Sequence, residues 1–301
     1  MVKLFIILSF SIVLQTISAK SWKPVCRPFD SLTTICEHDM DNFSHPEKFK
    51  TYIKSMYVIA RRHKDKPVLM WRAMYWDAFW MWKYSQLNSA ESLARKAIKL
   101  VDIIHYEYDY HRLERLIINC TVNNMTYFEA YKAYYKQLQY LEKVDDKINI
   151  ANTCVTIGTI FQQLGEHNKA YDYLHRADSL YYLCNKKEYR IKNQLNLANI
   201  LNSKGQTKEA IALIKNIMNQ PESKKDTAFI LEAYSSLISF IKSIKLNEKI
   251  SRIAYKTAIL YNHETYIMQA SVNLGATYLY TNKSDSALLF YRKVWNYLKK
   301  K

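Results

Sequence analysis

The chain has 301 residues, 49% hydrophobic and 14% aromatic, which excludes disorder and leaves ample material for a core along its whole length. Its formal charge of +17 would suit nucleic acid or an anionic membrane surface, but the lysines are spread along most segments in the manner of a solvated face, so no direct nucleic-acid binding is expected. Glycine occurs only four times, at 158, 165, 205 and 275, which excludes the glycine-rich loops of P-loop and dinucleotide-binding enzymes.

Residues 1–19, MVKLFIILSFSIVLQTISA, combine Lys3, an apolar run from Leu4 to Leu14, and small residues at Ser18 and Ala19. This is the pattern of a secretory signal peptide, and it predicts cleavage near Ser18 to Ser21 and a periplasmic or envelope-associated product. The apolar run is short for a membrane span, so no transmembrane helix is expected after cleavage; kept uncleaved, the same run would act as an anchor. Residues 20–44, with Pro24, Pro28 and two cysteines, read as an irregular N-terminal segment. Of the five cysteines, at 26, 36, 120, 154 and 184, Cys26 and Cys36 flank a short stretch and are the candidates for a disulfide in an oxidising compartment. Cys120 and Cys154 read as small buried residues on helices. Ser44, His45, Pro46 and Glu47 open a helix that runs to about Asp65, with Tyr52, Met56 and Ile59 at helical spacing, so residues 45–69 are expected to cap the remainder of the chain.

From about residue 70 the chain is periodic. Residues 151–180, ANTCVTIGTIFQQLGEHNKAYDYLHRADSL, place Ile157, Gly158 and Phe161 on one face of a first helix, end it at Gly165, and stripe a second helix with Ala170, Leu174 and Ala177. Slid by forty residues, Ala170 meets Ala130 and Ala90 on one side and Ala210 and Ile250 on the other, while Gly165 meets Gly205 and Gly158 meets Ala198. Leu174 likewise meets Tyr134 and Ile214. A last copy returns Leu274, Gly275, Tyr278, Ala287, Tyr291 and Val294 after 37 residues. Small residues fall where two helices approach closely and large ones where pairs must interdigitate.

This placement resembles the tetratricopeptide (TPR) repeat, a helix-turn-helix of about 34 residues. The resemblance covers roughly residues 70–300 and is strongest at 151–217 and in the last copy; the longer period departs from the family and implies lengthened helices. It implies an all-α, right-handed superhelical solenoid, with residues 70–301 forming about six repeats whose first helices line a concave binding surface. An export signal followed by such repeats also resembles the sensor portion of bacterial membrane-anchored helix-turn-helix regulators.

Residues 70–84, MWRAMYWDAFWMWKY, are the most aromatic stretch, with Trp71, Trp76, Trp80 and Trp82. They read either as a helix packed on two sides or as a groove hot spot in which Tyr75, Phe79 and Trp82 share a face. Projecting the register of 151–180 gives a concave lining of Arg112, Arg115, Asn119 and Asn123, then Asn152, Thr159, Gln162 and Gln163, then Lys192, Asn199 and Asn202. Amides can bond the main chain of an extended peptide and arginines can grip its carboxylates, which suits an acidic segment; alternatively these residues only keep the inner face wet. No nucleophile sits in a recognisable catalytic pattern and the eight histidines never form His-Glu-x-x-His, so no enzyme, metal or cofactor is expected. The Asp145-Asp146 pair reads as a helix cap. The sequence thus predicts a non-enzymatic exported repeat protein that binds a protein, peptide or extended polymer, with the ligand-sensing portion of a regulator as the second class. The helix from Ser284, with Leu288, Tyr291, Trp295 and Leu298 at three- and four-residue steps beside Phe290, Val294 and Tyr297, carries more apolar surface than one neighbour covers and predicts self-association.

Overall fold

The computed structural model describes residues 23–39 and 46–299, and among these the only regular structure is helical. The expected signal segment, residues 1–19, lies outside the described residues. Contacts divide the chain after Glu166 into two compact units. The first holds α1 (Arg27–Asp39), α2 (Pro46–Arg62), α3 (Val68–Lys83), α4 (Leu87–Ile98), α5 (Glu107–Thr121), α6 (Tyr127–Lys143) and α7 (Lys147–Gln163). The second holds α8 (His167–Leu183), α9 (Lys187–Ser203), α10 (Thr207–Met218), a short α11 (Pro221–Lys225), α12 (Thr227–Phe240), α13 (Ile244–Leu260), α14 (Glu264–Tyr280) and α15 (Ser284–Leu298). Successive helices pack as neighbours within each unit, the arrangement of a helical-repeat solenoid.

The turns explain the period. Helices α6, α7, α8 and α9 each span 17 residues and begin at 127, 147, 167 and 187, so the forty-residue repeat consists of two equal helix-turn steps. Seven of the turns place one residue in the left-handed region: Ser85, Asp145, Asn185, Asn262 and Asn282, and glycine at 165 and 205. Around Gly165 the Glu166 N–H donates to the Phe161 carbonyl at 2.9 Å and the Gly165 N–H to the Gln162 carbonyl at 3.0 Å, the bond pair that closes a helix C-terminus. The same reach recurs from Asp146 to Leu141, Lys186 to Tyr181 and Lys283 to Tyr278. Asp146 then caps the next helix, accepting the Asn149 N–H, so the Asp145-Asp146 pair is a turn and a cap.

The alanine column stands at the tightest contacts: Ala90, Ala130, Ala170 and Ala210 are fully buried. In the fifth pair the column does not fall on Ile250, which is only partly buried; Ser251, Ala254 and Ala258 take the close approach on α13 instead. In the last pair the ring of Tyr291 lies 2.9 Å from where a Cβ on Gly275 would stand, so any larger residue there must push that ring aside. Helix α15 packs Ala287, Phe290 and Tyr291 against α14 and leaves Leu288, Leu289, Trp295 and Leu298 exposed. Of the four-residue stripe expected to be open, Tyr291 is therefore an inward contact.

Three boundaries differ from expectation. Residues 20–44 are not irregular throughout, because α1 occupies 27–39. The Asp30 carboxylate accepts the N–H groups of Val25 and Cys26, Pro28 sits in the first turn where its missing N–H is no loss, and Phe29, Thr33 and Cys36 bury one face. That helix also rules out the Cys26–Cys36 disulfide. Ten residues at 1.5 Å each set the two about 15 Å apart, far beyond the reach of an S–S bridge. The capping helix expected over 45–69 ends at Arg62, and Val68 and Leu69 already belong to α3, which follows Pro67 directly.

Candidate binding surface

The first helices of the pairs were expected to present their side chains to a groove. In the first unit those side chains are closed in. Tyr75 and Phe79 are 1% exposed and Trp82 9%, and Trp76 sits in their midst with its ring 5.2 Å from Tyr75 and 5.9 Å from Phe79. The aromatic stretch is thus a two-sided core helix and not an open hot spot, since α2 supplies Phe49 against Trp76 at 6.0 Å on one side and α4 packs on the other.

The arginines of this unit are buried as well. Arg72 donates from Nε to Asp109 at 2.8 Å and from Nη1 to the Lys23 carbonyl at 2.8 Å, while Trp71 donates to the same Asp109 carboxylate at 3.1 Å. Arg112, 1% exposed, donates to the Tyr75 hydroxyl at 3.1 Å, stacks 4.6 Å from that ring, and has the Glu37 carboxylate of α1 at 3.8 Å. Arg115 is 6% exposed, and its Nε has no hydrogen-bond partner. Arg112 and Arg115 are therefore not rim cations of an open groove, because residues 23–39 reach across Arg72 and Arg112 and because their own neighbours on α3 and α5 are bulky aromatics. Tyr108, one turn before Arg112, donates to Asp146 at 3.0 Å; burial pushes its phenol up to about 12, with both arginines acting against that rise.

The remaining expected lining residues of this unit scatter. Asn119 accepts the Tyr134 hydroxyl at 2.9 Å, Asn123 has a buried amide oxygen without a hydrogen bond, and Asn152 is buried. Thr159 is tied to its own helix through the Val155 carbonyl, Gln162 is half-buried and Gln163 exposed.

The second unit carries a polar stripe along its first helices. On α9, Lys192, Asn196 and Asn199 recur at helical spacing and are all half-exposed. On α12, Glu232, Ser236 and Ser239 stand forty residues further on, at the same positions of the next first helix, half-exposed or exposed. Lys192 pairs with Asp226 at 3.0 Å and stands close enough to Glu232 to oppose the rise that burial imposes on that carboxyl. Asn202, in the last turn of α9, accepts the Thr207 hydroxyl at 2.8 Å. Underneath, the Asn193 amide donates to the Leu174 carbonyl at 2.8 Å and fixes α9 on α8, and Ile191, Leu195 and Ala198 pack into the core shared with α10 and α12. A recess of about 130 Å³ lined by Ile191, Lys192, Glu222, Asp226 and Phe229 opens at one end of the stripe. Asn196, Glu232, Ser236 and Ser239 were missed in the sequence, although translating Lys192 and Asn199 by the repeat length points to Glu232 and Ser239.

No group of side chains able to hold a metal occurs among the described residues, and no helix among them is long and apolar enough to cross a membrane.

No protein-family model matches the sequence, and the search of curated proteins finds no match. Among solved structures the chain is similar to the apo form of RapI, with 12% identity over 91% of this chain and 100% of that one and a TM-score of 0.65. It is similar to a signal-transduction ATPase with numerous domains (STAND) carrying a tetratricopeptide repeat sensor from Pyrococcus horikoshii, with 15% identity, 90% of this chain, 42% of that chain and a TM-score of 0.67. A Rap protein complexed with competence and sporulation factor matches at 13% identity over 93% of this chain and 78% of that one, with a TM-score of 0.59. At such identities the likeness is one of fold: an all-α array of TPR-like helical repeats.

Proposed function

We propose that the chain is a non-enzymatic repeat protein that binds an extended segment of another protein across α9 and α12. The observation that carries this is the repeated half-exposed stripe, Lys192, Asn196 and Asn199 on one first helix and Glu232, Ser236 and Ser239 on the next. Amides and hydroxyls at a fixed spacing offer donors and acceptors to a peptide main chain, and the opposed charges of Lys192 and Glu232 orient it. The complex of a similarly folded Rap protein with competence and sporulation factor supports the reading. A photo-crosslinking residue introduced at 199 or 236 in the native setting is expected to capture a partner that the same residue at Lys215, exposed on α10, does not. Equal capture from both faces, or none from the stripe, sinks it.

The same reading includes export to the periplasm or envelope, on the strength of the N-terminal pattern of Lys3, the Leu4 to Leu14 run and Ala19. Mass spectrometry of the native protein should find a new terminus near Ser18 to Ser21, and an intact Met1 overturns export with cleavage. A sensor role is the second reading, favoured by the match to part of a STAND protein that carries a repeat sensor. An apolar run of about twenty residues encoded just downstream would decide for it.

A further inference from the structure

Among the described residues, the first unit holds a charge that no carboxylate answers. Arg72, Arg112 and Arg115 stand on α3 and α5 at first-helix positions, and each is at least nine-tenths buried. Arg72 is met by Asp109 and by the Lys23 carbonyl, and Arg112 by the Tyr75 hydroxyl and, at the longer distance of 3.8 Å, by Glu37. Arg115 meets no carboxylate among the described residues, and its Nε is buried without a hydrogen bond. Its charge is felt by the phenols of Tyr108, Tyr134 and Tyr140, which are neutral acceptors. A guanidinium with a buried, unbonded Nε and no counter-charge is unfavourably placed, and its forked donors fit a carboxylate in particular.

The N-terminal segment meets the neighbouring arginines much as a bound peptide would. It offers a main-chain carbonyl to Arg72, a carboxylate to Arg112, a further carbonyl at Val25 to Lys66 at 3.1 Å, and takes the His105 carbonyl with its Lys23 ammonium at 2.8 Å. Its contact with Arg112 is long and it supplies nothing to Arg115.

We propose that residues 23–39 occupy, from within the chain, a site whose external ligand is an acidic peptide segment, with Arg115 as the cation that the internal occupant leaves unmet. This rests on the peptide-binding reading above and extends it to the first unit. The internal segment competes with the partner, so that apparent affinity is reduced by the fraction of chains in which α1 is in place. An acidic partner displaces Glu37 from Arg112 and brings a carboxylate to Arg115.

The test uses the full chain and a fluorescein-labelled peptide of ten glutamates, with ten glutamines as the uncharged control. Glu37→Gln is expected to tighten decaglutamate binding about threefold or more by weakening the occupant. Adding Arg115→Gln is expected to loosen it about tenfold or more, the size of one charge-assisted pair, without lowering the denaturation midpoint. Lys132→Gln removes an exposed charge of the same sign and is expected to change the affinity less than twofold or so. Equal losses from Lys132→Gln and Arg115→Gln, no tightening by Glu37→Gln, or equal binding of the decaglutamine each overturn the proposal. Should Arg115→Gln fail to fold, Arg115→Lys keeps the charge and loses the fork, and unchanged affinity in that variant overturns the proposal as well. Crosslinking from residue 199 is independent of Arg115. Its failure with decaglutamate binding intact removes the second-unit reading alone, and its success in the Arg115→Gln variant with decaglutamate binding unaffected removes this one alone.

Discussion

The same helical positions are built oppositely in the two units. In the first, the residues at 72, 76, 79, 112 and 116 are an arginine and apolar layer closed off from water, and in the second, their counterparts at 192, 196, 199, 232 and 236 are amides, hydroxyls and single charges left partly open. A helical array makes this division easy, since each pair contacts only its neighbours and one end can be sealed without altering the other. Polar residues at equivalent positions therefore have different consequences: a buried charge must be answered within the fold, and a half-exposed one remains available to a partner.

The largest expected effect comes from that contrast. Asp109→Asn removes the carboxylate that meets buried Arg72 and Trp71 and should lower stability by about 3–5 kcal/mol, the consequence of an uncompensated buried cation. Asp226→Asn breaks the Lys192 pair of the second unit, where both side chains are more than a third exposed, keeps the oxygen that caps α12, and should lower it by less than about 1 kcal/mol. Urea denaturation of the two variants measures the contrast directly, and similar losses would abolish it.

Next in size is the close approach inside the second unit. Gly275→Ala drives a methyl group into the Tyr291 ring and should destabilise by about 1–3 kcal/mol. Tyr291→Leu in the same chain should recover part of that loss, because the obstruction is one side chain and not backbone. A loss that Tyr291→Leu leaves untouched would mean that Gly275 matters through its backbone. Gly165→Ala acts by the other mechanism: open space surrounds it, but its φ of +75° disfavours a Cβ, and about 1 kcal/mol is expected.

The fold was legible because the repeat writes itself in residues with little freedom of interpretation. Gly165, Gly205, Gly275 and the alanine column each answer one geometric need, and the helices fell where those residues put them. The twenty-residue step was less legible, because Asp145 and Asn185 do at their turns what glycine does at 165 and 205, and asparagine and aspartate also serve many other purposes. The binding surface was read only in part. Lys192 and Asn199, which the register named, are partly exposed, but the register gives the direction of a side chain and not what lies over it. Arg112 and Arg115 are buried, and α1 escaped notice because two prolines and two cysteines made the segment that holds this thirteen-residue helix look irregular.

The smallest expected effect is a pH dependence of opposite sign in the two units. Glu114, in the first, accepts from the His111 ring and from Lys136 at 2.9 Å; the His111 bond is the largest cause, burial opposes it, and the carboxyl is held down at about 2 against an ordinary 4.5. Between those values the unfolded chain binds more protons than the folded one, so this contribution is complete above about pH 4.5 and is lost as pH falls toward 2. Glu232, in the second unit, is raised instead, chiefly by burial, with Lys192 acting against the rise. There the folded state holds its proton more tightly, so stability increases as pH falls through the folded value toward the ordinary one, and the charged carboxylate detracts from stability near neutrality. Glu114→Gln should therefore be less stable than the parent at pH 7, with the gap closing in acid. Glu232→Gln should be as stable or slightly more so at pH 7, and its gap should close as the solution passes below about pH 4.5. Thermal melts of both variants and the parent at pH 7, 4.5 and 3 separate the cases. If the two gaps run in parallel with pH, the carboxylates of the sealed and the open unit do not differ in the way their surroundings dictate, and the comparison between the units fails at its most sensitive point.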